Sequence, residues 1–309
     1  MEPPTDLGVK VRRAAVRSIA AAGILTLCAM SGCSATDTSE PVEPVRPIDP
    51  ARMAFAAGTT MARLHDAQKI TIGSKFDQPG FGLKGPDGKP AGFDVEIAKI
   101  IAGELGIAPD KIEWRETPAK VREDYLVQGK VDLITATYTI NDKRKLRVDF
   151  AGPYYAAGQQ IMVRKNDTSI TGPDSFKGGT RKVCSVTGTV PADTIKSYLE
   201  DVASQLVLYD TYPDCAKALL AKQVDAVTTD NVLLTGFVAE HPDDLTLVGA
   251  RFTSELYGIG VRKGDDSFRA FINDLLERIA KDGRYAKAWT DTAGKLDPTM
   301  PEAPGVDRY

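Results

Sequence analysis

The 309-residue sequence has few soft metal ligands, with two histidines and four cysteines in the whole chain. Because zinc and iron sites are built mainly from these two residue types, their scarcity argues against a metalloenzyme. Charge of one sign is also lacking, since 39 Lys and Arg residues against 42 Asp and Glu residues give a formal net charge of −3. A chain this close to neutral does not predict binding to a nucleic-acid backbone. We therefore expect no metal, no other cofactor and no nucleic-acid partner.

The N-terminal apolar stretch is too short for a transmembrane helix. Residues 19–30 carry no charge, but these twelve residues fall short of the ~20 that a helix needs to cross a bilayer. Basic residues precede this stretch and Ser31-Gly32 follow it, so residues 1–32 are predicted to be a secretory signal peptide. Small residues directly before Cys33 resemble the lipobox of bacterial lipoproteins. We expect lipidation of Cys33; the alternative is cleavage elsewhere with an incidental cysteine.

A proline repeat follows the predicted cleavage site. Pro41, Pro44, Pro47 and Pro50 recur every third residue, a pattern that favours extended polyproline II and resists packing. Residues 33–64 are therefore predicted to be a lipid-anchored stalk and N-terminal linker.

Two cysteines remain once the signal peptide and Cys33 are set aside. Cys184 and Cys215 would then lie in an extracytoplasmic, oxidising compartment, which favours a disulfide between them. The alternative is two unrelated buried thiols.

From Lys69 onward, short apolar segments alternate with longer amphipathic ones, which is typical of βαβ units around a parallel sheet. The pattern predicts strands at 70–73, 130–134, 181–185, 206–209, 224–228 and 257–261. It predicts helices at 95–105, 212–222 and 231–240 and a long closing helix that ends at Gly283. Asp94 is predicted to be the N-cap of the first of these helices, and Asn141 the N-cap of a short basic helix that ends at Arg147.

Sequence motifs of catalysis are missing or out of context. Residues 80–85 match GxGxxG, but Pro86-Asp87-Gly88 predicts a turn where a dinucleotide site requires a helix. No GxSxG or HExxH motif is present. We therefore expect a protein that is not an enzyme.

The remaining candidates are polar residues at strand ends, where open α/β sheets bind ligands. Thr187-Gly188-Thr189 precedes a helix whose free N–H groups favour an anion, and Asp230 follows a strand with a carboxylate suited to an ammonium. The alternative at Thr189 and at Asp230 is a plain helix N-cap.

Seven segments of the chain together resemble the polar amino-acid substrate-binding proteins of ABC transporters, and most closely the glutamate-binding lipoproteins of actinobacteria. The resemblance covers about residues 64–290. The segments are GSKFDQPGFGLKGPDGKPAGFDVEIA from Gly73, IEWRETP from Ile112, VDLITATYTINDKR from Val131, VDFAGPYY from Val148, CSVTGTVPA from Cys184, VDAVTTDNVLLTGF from Val224 and YGIGV from Tyr257.

This resemblance implies the α/β periplasmic-binding-protein fold of type II, in which two lobes are hinged by two crossing segments. Residues 65–156 plus 255–309 would form lobe 1, and residues 157–254 would form lobe 2. Gln159, Gln160 and Phe252 would lie near the crossings.

The resemblance also assigns residues to the backbone end of an amino-acid ligand. Arg144 falls on the arginine that binds the α-carboxylate, and a guanidinium fork suits that role better than an ammonium. Thr137 and Thr139 fall beside it, and Thr187, Gly188 and Thr189 form the loop of lobe 2 that contacts the same carboxylate. Asp230 falls on the acid that pairs with the α-ammonium.

The same comparison assigns residues to the ligand side chain. Phe93 matches an aromatic wall of the pocket. Lys75 and Arg122 match basic positions of relatives that bind acidic amino acids, whereas relatives that bind glutamine have an acid at the position of Lys75. The alternative for Lys75 and Arg122 is exposed surface charge.

The expected function is capture of glutamate, and of aspartate as a close homologue, by a monomer that is lipid-anchored on the extracytoplasmic face of the cell membrane. The protein would deliver the ligand to ABC permease subunits. Alternatives are a sensor subunit that signals to a membrane receptor, a binding protein for glutamine or another polar amino acid, and an enzyme on the same fold.

Overall fold

The computed structural model describes residues 54–309, and the structural statements below concern that part of the chain. The predicted signal peptide, Cys33 and residues 33–53 of the predicted stalk lie outside it. Among the helices found between residues 54 and 309, none has the length and apolar character needed to cross a bilayer.

Helices and strands alternate along the described chain. The α-helices are α1 Thr60–Ala67, α2 Phe93–Glu104, α3 Arg122–Val127, α4 Asp142–Lys145, α5 Val190–Thr194, α6 Val202–Gln205, α7 Tyr212–Leu220, α8 Asn231–Glu240, α9 Asp266–Asp282 and α10 Arg284–Asp291. The strands are β1 Ile70–Ser74, β2 Asp77–Gln78, β3 Gly82–Lys84, β4 Pro90–Ala91, β5 Ile112–Glu116, β6 Leu133–Thr135, β7 Val148–Ala157, β8 Gln159–Arg164, β9 Val183–Val186, β10 Leu206–Tyr209, β11 Ala226–Asp230, β12 Leu245–Val248 and β13 Glu255–Arg262.

The strands form two five-stranded sheets and a small three-stranded one. The first sheet has the order β5-β1-β6-β13-β7, the second β10-β9-β11-β8-β12 and the small sheet β2-β3-β4. Four strands of the first sheet precede the strands of the second sheet in the sequence, and the fifth, β13, follows them. The chain therefore leaves the first lobe and later returns to it. The two-lobed α/β architecture that the sequence predicts is confirmed.

The sheets are mixed rather than parallel, which corrects the sequence-based expectation. In each sheet four strands run in one direction and one runs against them: β13 is antiparallel to its neighbours β6 and β7, and β8 is antiparallel to its neighbours β11 and β12. Parallel neighbours arise from a crossover within one sheet. Strands β8 and β13 instead each enter a sheet from the other lobe, so no crossover fixes their direction.

The chain crosses between the sheets twice, at Gly158 and through residues 249–254. The two crossings lie side by side: the backbone N–H of Phe252 donates to the Gln159 carbonyl at 3.0 Å, and the backbone N–H of Gln159 donates to the Thr253 hydroxyl at 2.9 Å. Two adjacent crossing segments of this kind allow the lobes to rotate about a hinge.

Helix α1 shows that the folded body begins before residue 65. The Thr59 side chain caps it by accepting from the Ala62 N–H at 3.2 Å, and Met61 and Leu64 on one face are buried. Phe55 packs edge-on against Phe271 of α9. Residues 60–64, which the sequence analysis placed in the linker, are thus helical and packed.

Cys184 of β9 and Cys215 of α7 form the predicted disulfide, with their Cα atoms 5.6 Å apart. It closes a loop with a sequence separation of 31 residues, for which the chain-entropy model gives about 3–4 kcal/mol. We expect reduction to lower the free energy of unfolding by that amount in urea titrations. The Cys184→Ala/Cys215→Ala variant should be insensitive to reductant, and equal stability of the oxidised and reduced wild type would contradict the prediction.

Candidate ligand-binding site

A cavity lies between the two lobes, at the carboxyl ends of strands from both large sheets. The cavity is narrow in this closed arrangement of the lobes, with a volume of about 20 Å³. It collects six of the ten binding residues predicted from the sequence: Lys75, Arg122, Thr137, Thr139, Thr189 and Asp230. The other lining residues are Gln78, Ala119, Val186, Val190, Pro191, Tyr212 and Thr229.

Lys75 follows β1 and is buried, with 6% of its side chain exposed, so the interpretation as a surface charge is wrong. Its Nζ lies 3.2 Å from Oδ1 of Asp77 in β2, whose side chain is 13% exposed. Burial lowers the pKa of Lys75, and the Asp77 carboxylate partly opposes that shift. Asp77 has no role predicted from the sequence; in the structure it is the counter-ion of Lys75.

Arg122 is the first residue of α3 and is also buried. Its Nη1 donates to the Ala136 carbonyl at 2.9 Å, and its guanidinium lies 4.3 Å from the centre of the Tyr138 ring. Its Nε is buried and has no acceptor among residues 54–309. An unpaired donor of a buried cation at a cavity wall is suited to binding an anionic group.

Thr137 adopts a left-handed backbone with φ of 44°, a conformation that costs energy for a β-branched residue. The buried carboxylate of Asp94 compensates by accepting the Thr137 N–H at 2.7 Å and the Tyr154 hydroxyl at 2.6 Å. The hydroxyl of Thr137 lies 3.1 Å from Oε1 of Gln78. Asp94 thus fixes the threonine at the cavity wall.

This role of Asp94 corrects the prediction that it is an N-cap. Helix α2 begins at Phe93, so Asp94 lies in the first turn and its carboxylate makes tertiary contacts. Complete burial raises the pKa of Asp94 to about 7. Its sequence setting between apolar Phe93 and Val95 was the available signal that the side chain faces the core.

Arg144 lies on α4, whose predicted N-cap Asn141 accepts the Arg144 N–H at 2.9 Å. The buried guanidinium donates to the Thr139 carbonyl at 2.6 Å and, across the lobes, to the Gly188 carbonyl at 3.2 Å. Its Nε is 3.2 Å from Oε1 of Glu123. Arg144 and Gly188 line a second cavity beside the first, and Thr189 lines both.

The loop after β9 contributes one side chain to the central cavity. The Thr189 hydroxyl is the N-cap of α5, which is the alternative role predicted for this residue, and it also donates to the Val186 carbonyl. The Thr187 hydroxyl instead lies 3.3 Å from the Tyr209 carbonyl at the end of β10, away from the lining of both cavities. The structure thus places the Thr187 hydroxyl outside the lining of both cavities, and the contact of its loop with a ligand carboxylate stays a prediction.

Gly188 permits a close approach of the two lobes. Its φ is 82°, and a Cβ atom there would lie 2.9 Å from Cα of Lys120. Nearby, Nζ of Lys120 contacts both carboxylate oxygens of Asp210 at 2.8 Å. Because Lys120 belongs to the first lobe and Asp210 to the second, these contacts define a closed arrangement of the cleft.

Asp230 ends β11 and precedes α8, but its side chain makes no cap bond to the helix. Its Oδ2 accepts the hydroxyl of Tyr257 in β13 at 2.5 Å, while its buried Oδ1 has no hydrogen-bond partner in the described chain. Burial, reinforced by the nearby Glu255 carboxylate, raises the pKa of Asp230 to about 7. A cationic group in the cavity would stabilise the ionised form.

Phe93 is placed differently from its prediction as a pocket wall. It is completely buried and packs against Tyr154, Tyr285 and Trp289 in the core of the first lobe. The ring stabilises the lobe that carries Lys75 and Arg122, and it does not face the cavity.

A two-lobed fold with opposite charges meeting in the cleft defines a protein that binds a small polar ligand. Residues 70–291 match the bacterial extracellular solute-binding proteins, family 3. The chain belongs to this family.

Relatives of the chain bind amino acids. Glutamate-binding protein GluB of Corynebacterium efficiens is 40% identical over 235 residues, covering 73% of this chain and 79% of that protein. The ABC transporter glutamine-binding protein GlnH of Bacillus subtilis is 37% identical over 227 residues, covering 73% and 81%. The solute receptor for L-cysteine of Neisseria gonorrhoeae, known from a crystal structure, is 31% identical in sequence and matches with a TM-score of 0.72. The match covers 81% of this chain and 100% of that chain. These relatives are binding proteins rather than enzymes.

Proposed function

We propose that this chain is a lipid-anchored extracytoplasmic protein that captures glutamate, or its shorter homologue aspartate, and delivers it to an ABC permease for import. One observation carries the proposal: the unpartnered carboxylate oxygen of Asp230 and the guanidinium of Arg122 come from opposite lobes and line one closed cavity. A zwitterion that pairs with both lobes holds them together, so binding shifts the protein towards the closed form.

The preference for an acidic ligand rests on Arg122. Arg144 and Asp230 would take the α-carboxylate and the α-ammonium, as the resemblance implies. Arg122 then remains as a buried cation that contacts carbonyl oxygens but no carboxylate in the described chain. A side-chain carboxylate would supply its countercharge. The glutamate-binding relative at 40% identity supports this assignment.

Glutamine is the second candidate, favoured by the Lys75–Asp77 pair. From the sequence, Lys75 and Arg122 are both expected to be cations whose countercharge comes from the ligand. Because Asp77 already pairs with Lys75, a neutral side chain would leave one cation uncompensated instead of two. A glutamine-binding relative at 37% identity fits this candidate.

Calorimetric titration of the purified mature protein with glutamate, aspartate, glutamine and arginine tests the proposal. We expect one site per monomer and at least tenfold tighter binding of glutamate than of glutamine, which corresponds to about 1.4 kcal/mol. Tighter binding of glutamine would replace the first candidate by the second. Tightest binding of arginine, or no binding of any amino acid, would contradict both.

A further inference from the structure

The contact between Lys75 and Asp77 is internal to the wall of the cavity. Lys75 lines the cavity, and Asp77 lies behind it in β2 with both carboxylate oxygens buried. Neither oxygen accepts a hydrogen bond within the described chain. Among residues 54–309, the Asp77 carboxylate is therefore compensated by its 3.2 Å ion pair with Lys75. A buried carboxylate is retained at such a place only if its charge is compensated.

This pairing affects a ligand carboxylate in two ways. Lys75 shares its charge between Asp77 and any ligand group that approaches it, which weakens its attraction for that group. The Asp77 carboxylate also repels a negative side chain a few ångströms away, and burial reduces the screening of that repulsion. A neutral amide feels neither effect to the same extent.

We propose that Asp77 is a specificity-determining residue that limits the preference of the site for acidic over neutral ligand side chains. The inference rests on the proposed function, because it requires that the cavity bind an amino acid. Asp77 sets how much of the Lys75 charge is available to the ligand, while Arg122 supplies the remaining attraction for a carboxylate.

The test is calorimetric titration of glutamate and glutamine into wild type, Asp77→Asn and Lys75→Gln/Asp77→Asn, with Asp110→Asn as a matched control. Asp77→Asn keeps the shape of the side chain and removes its charge, so we expect the ratio of glutamate to glutamine affinity to rise about tenfold. The double variant removes both charges, and its ratio should stay within about threefold of wild type. Asp110 is exposed and pairs with the exposed Lys111, so its variant should behave as wild type.

The outcomes separate this inference from the proposed function. Failure of the wild type to bind either amino acid overturns both. Binding by the wild type with an unchanged or lower ratio in a folded Asp77→Asn variant overturns the role of Asp77 alone. Thermal unfolding checks that the variants are folded, and Asp77→Ser replaces Asp77→Asn if the latter does not fold, with the same expected rise.

Discussion

Replacement of Arg144 by alanine is expected to weaken the binding of every amino acid by about a thousand-fold. The α-carboxylate is common to all amino acids, so removal of the arginine that binds it should affect each of them equally. Removal of one partner from a buried charge pair costs about 2–5 kcal/mol, and each ~1.4 kcal/mol is a factor of ten in affinity.

The geometry of Arg144 explains how it would exchange partners. In the closed lobes its guanidinium donates to two backbone carbonyls, of Thr139 and Gly188, and its Nε pairs with the Glu123 carboxylate. A ligand carboxylate is a stronger acceptor than the neutral carbonyl of Gly188, because both members of the new hydrogen bonds are ionised. The exchange would place the carboxylate between the lobes, beside the loop of Thr189.

The matched control for this prediction is Arg147→Ala. Arg147 follows the same helix but is half exposed and pairs with Asp124 at the surface, so its loss should change affinity less than threefold. Calorimetry gives the affinities and thermal unfolding confirms that both variants fold. If Arg144→Ala binds within tenfold of wild type, the α-carboxylate must be bound by another cation, and Arg122 in the same cleft is the alternative.

Replacement of Asp230 by asparagine is expected to weaken binding by at least a hundredfold and to change its pH dependence. The carboxylate oxygen that faces the ammonium becomes part of a neutral amide, which leaves a buried ligand cation without its countercharge. Asp225→Asn, at the opposite end of the strand that Asp230 ends, is the isosteric control because Asp225 pairs with Arg164 away from the cleft.

The pH dependence follows from the raised pKa of Asp230, about 7 in the ligand-free cavity. Below pH 7 this carboxyl holds a proton, and an ammonium ligand must displace it. Affinity should therefore fall as pH decreases through 7, approaching tenfold per pH unit. In Asp230→Asn this proton is absent, so the slope should decrease by up to one unit. Calorimetry at pH 8, 7 and 6 measures it, and equal slopes in both proteins would contradict the assignment.

Local signals in the sequence determined much of the fold. Helix α8 and strand β10 have the predicted bounds, because each is flanked by clear polar signals and has a continuous apolar stretch. The Asn141 cap and the disulfide were likewise readable, since a cap depends on its own turn and residues 54–309 contain two cysteines. Helix α1 was missed because its apolar positions are few and follow a proline-rich segment.

The tertiary structure decided how the polar side chains of the site are used. Asp94, Asp77 and Asp230 carry the same carboxylate group, yet one orients Thr137, one pairs with Lys75 and one accepts a hydrogen bond from Tyr257. The residue types could be read from the chain, but the partner of a buried charge depends on residues far away in sequence. Desolvation then determines how strongly each charge pair affects the pKa values of its members, and these groups are desolvated only once the lobes have packed.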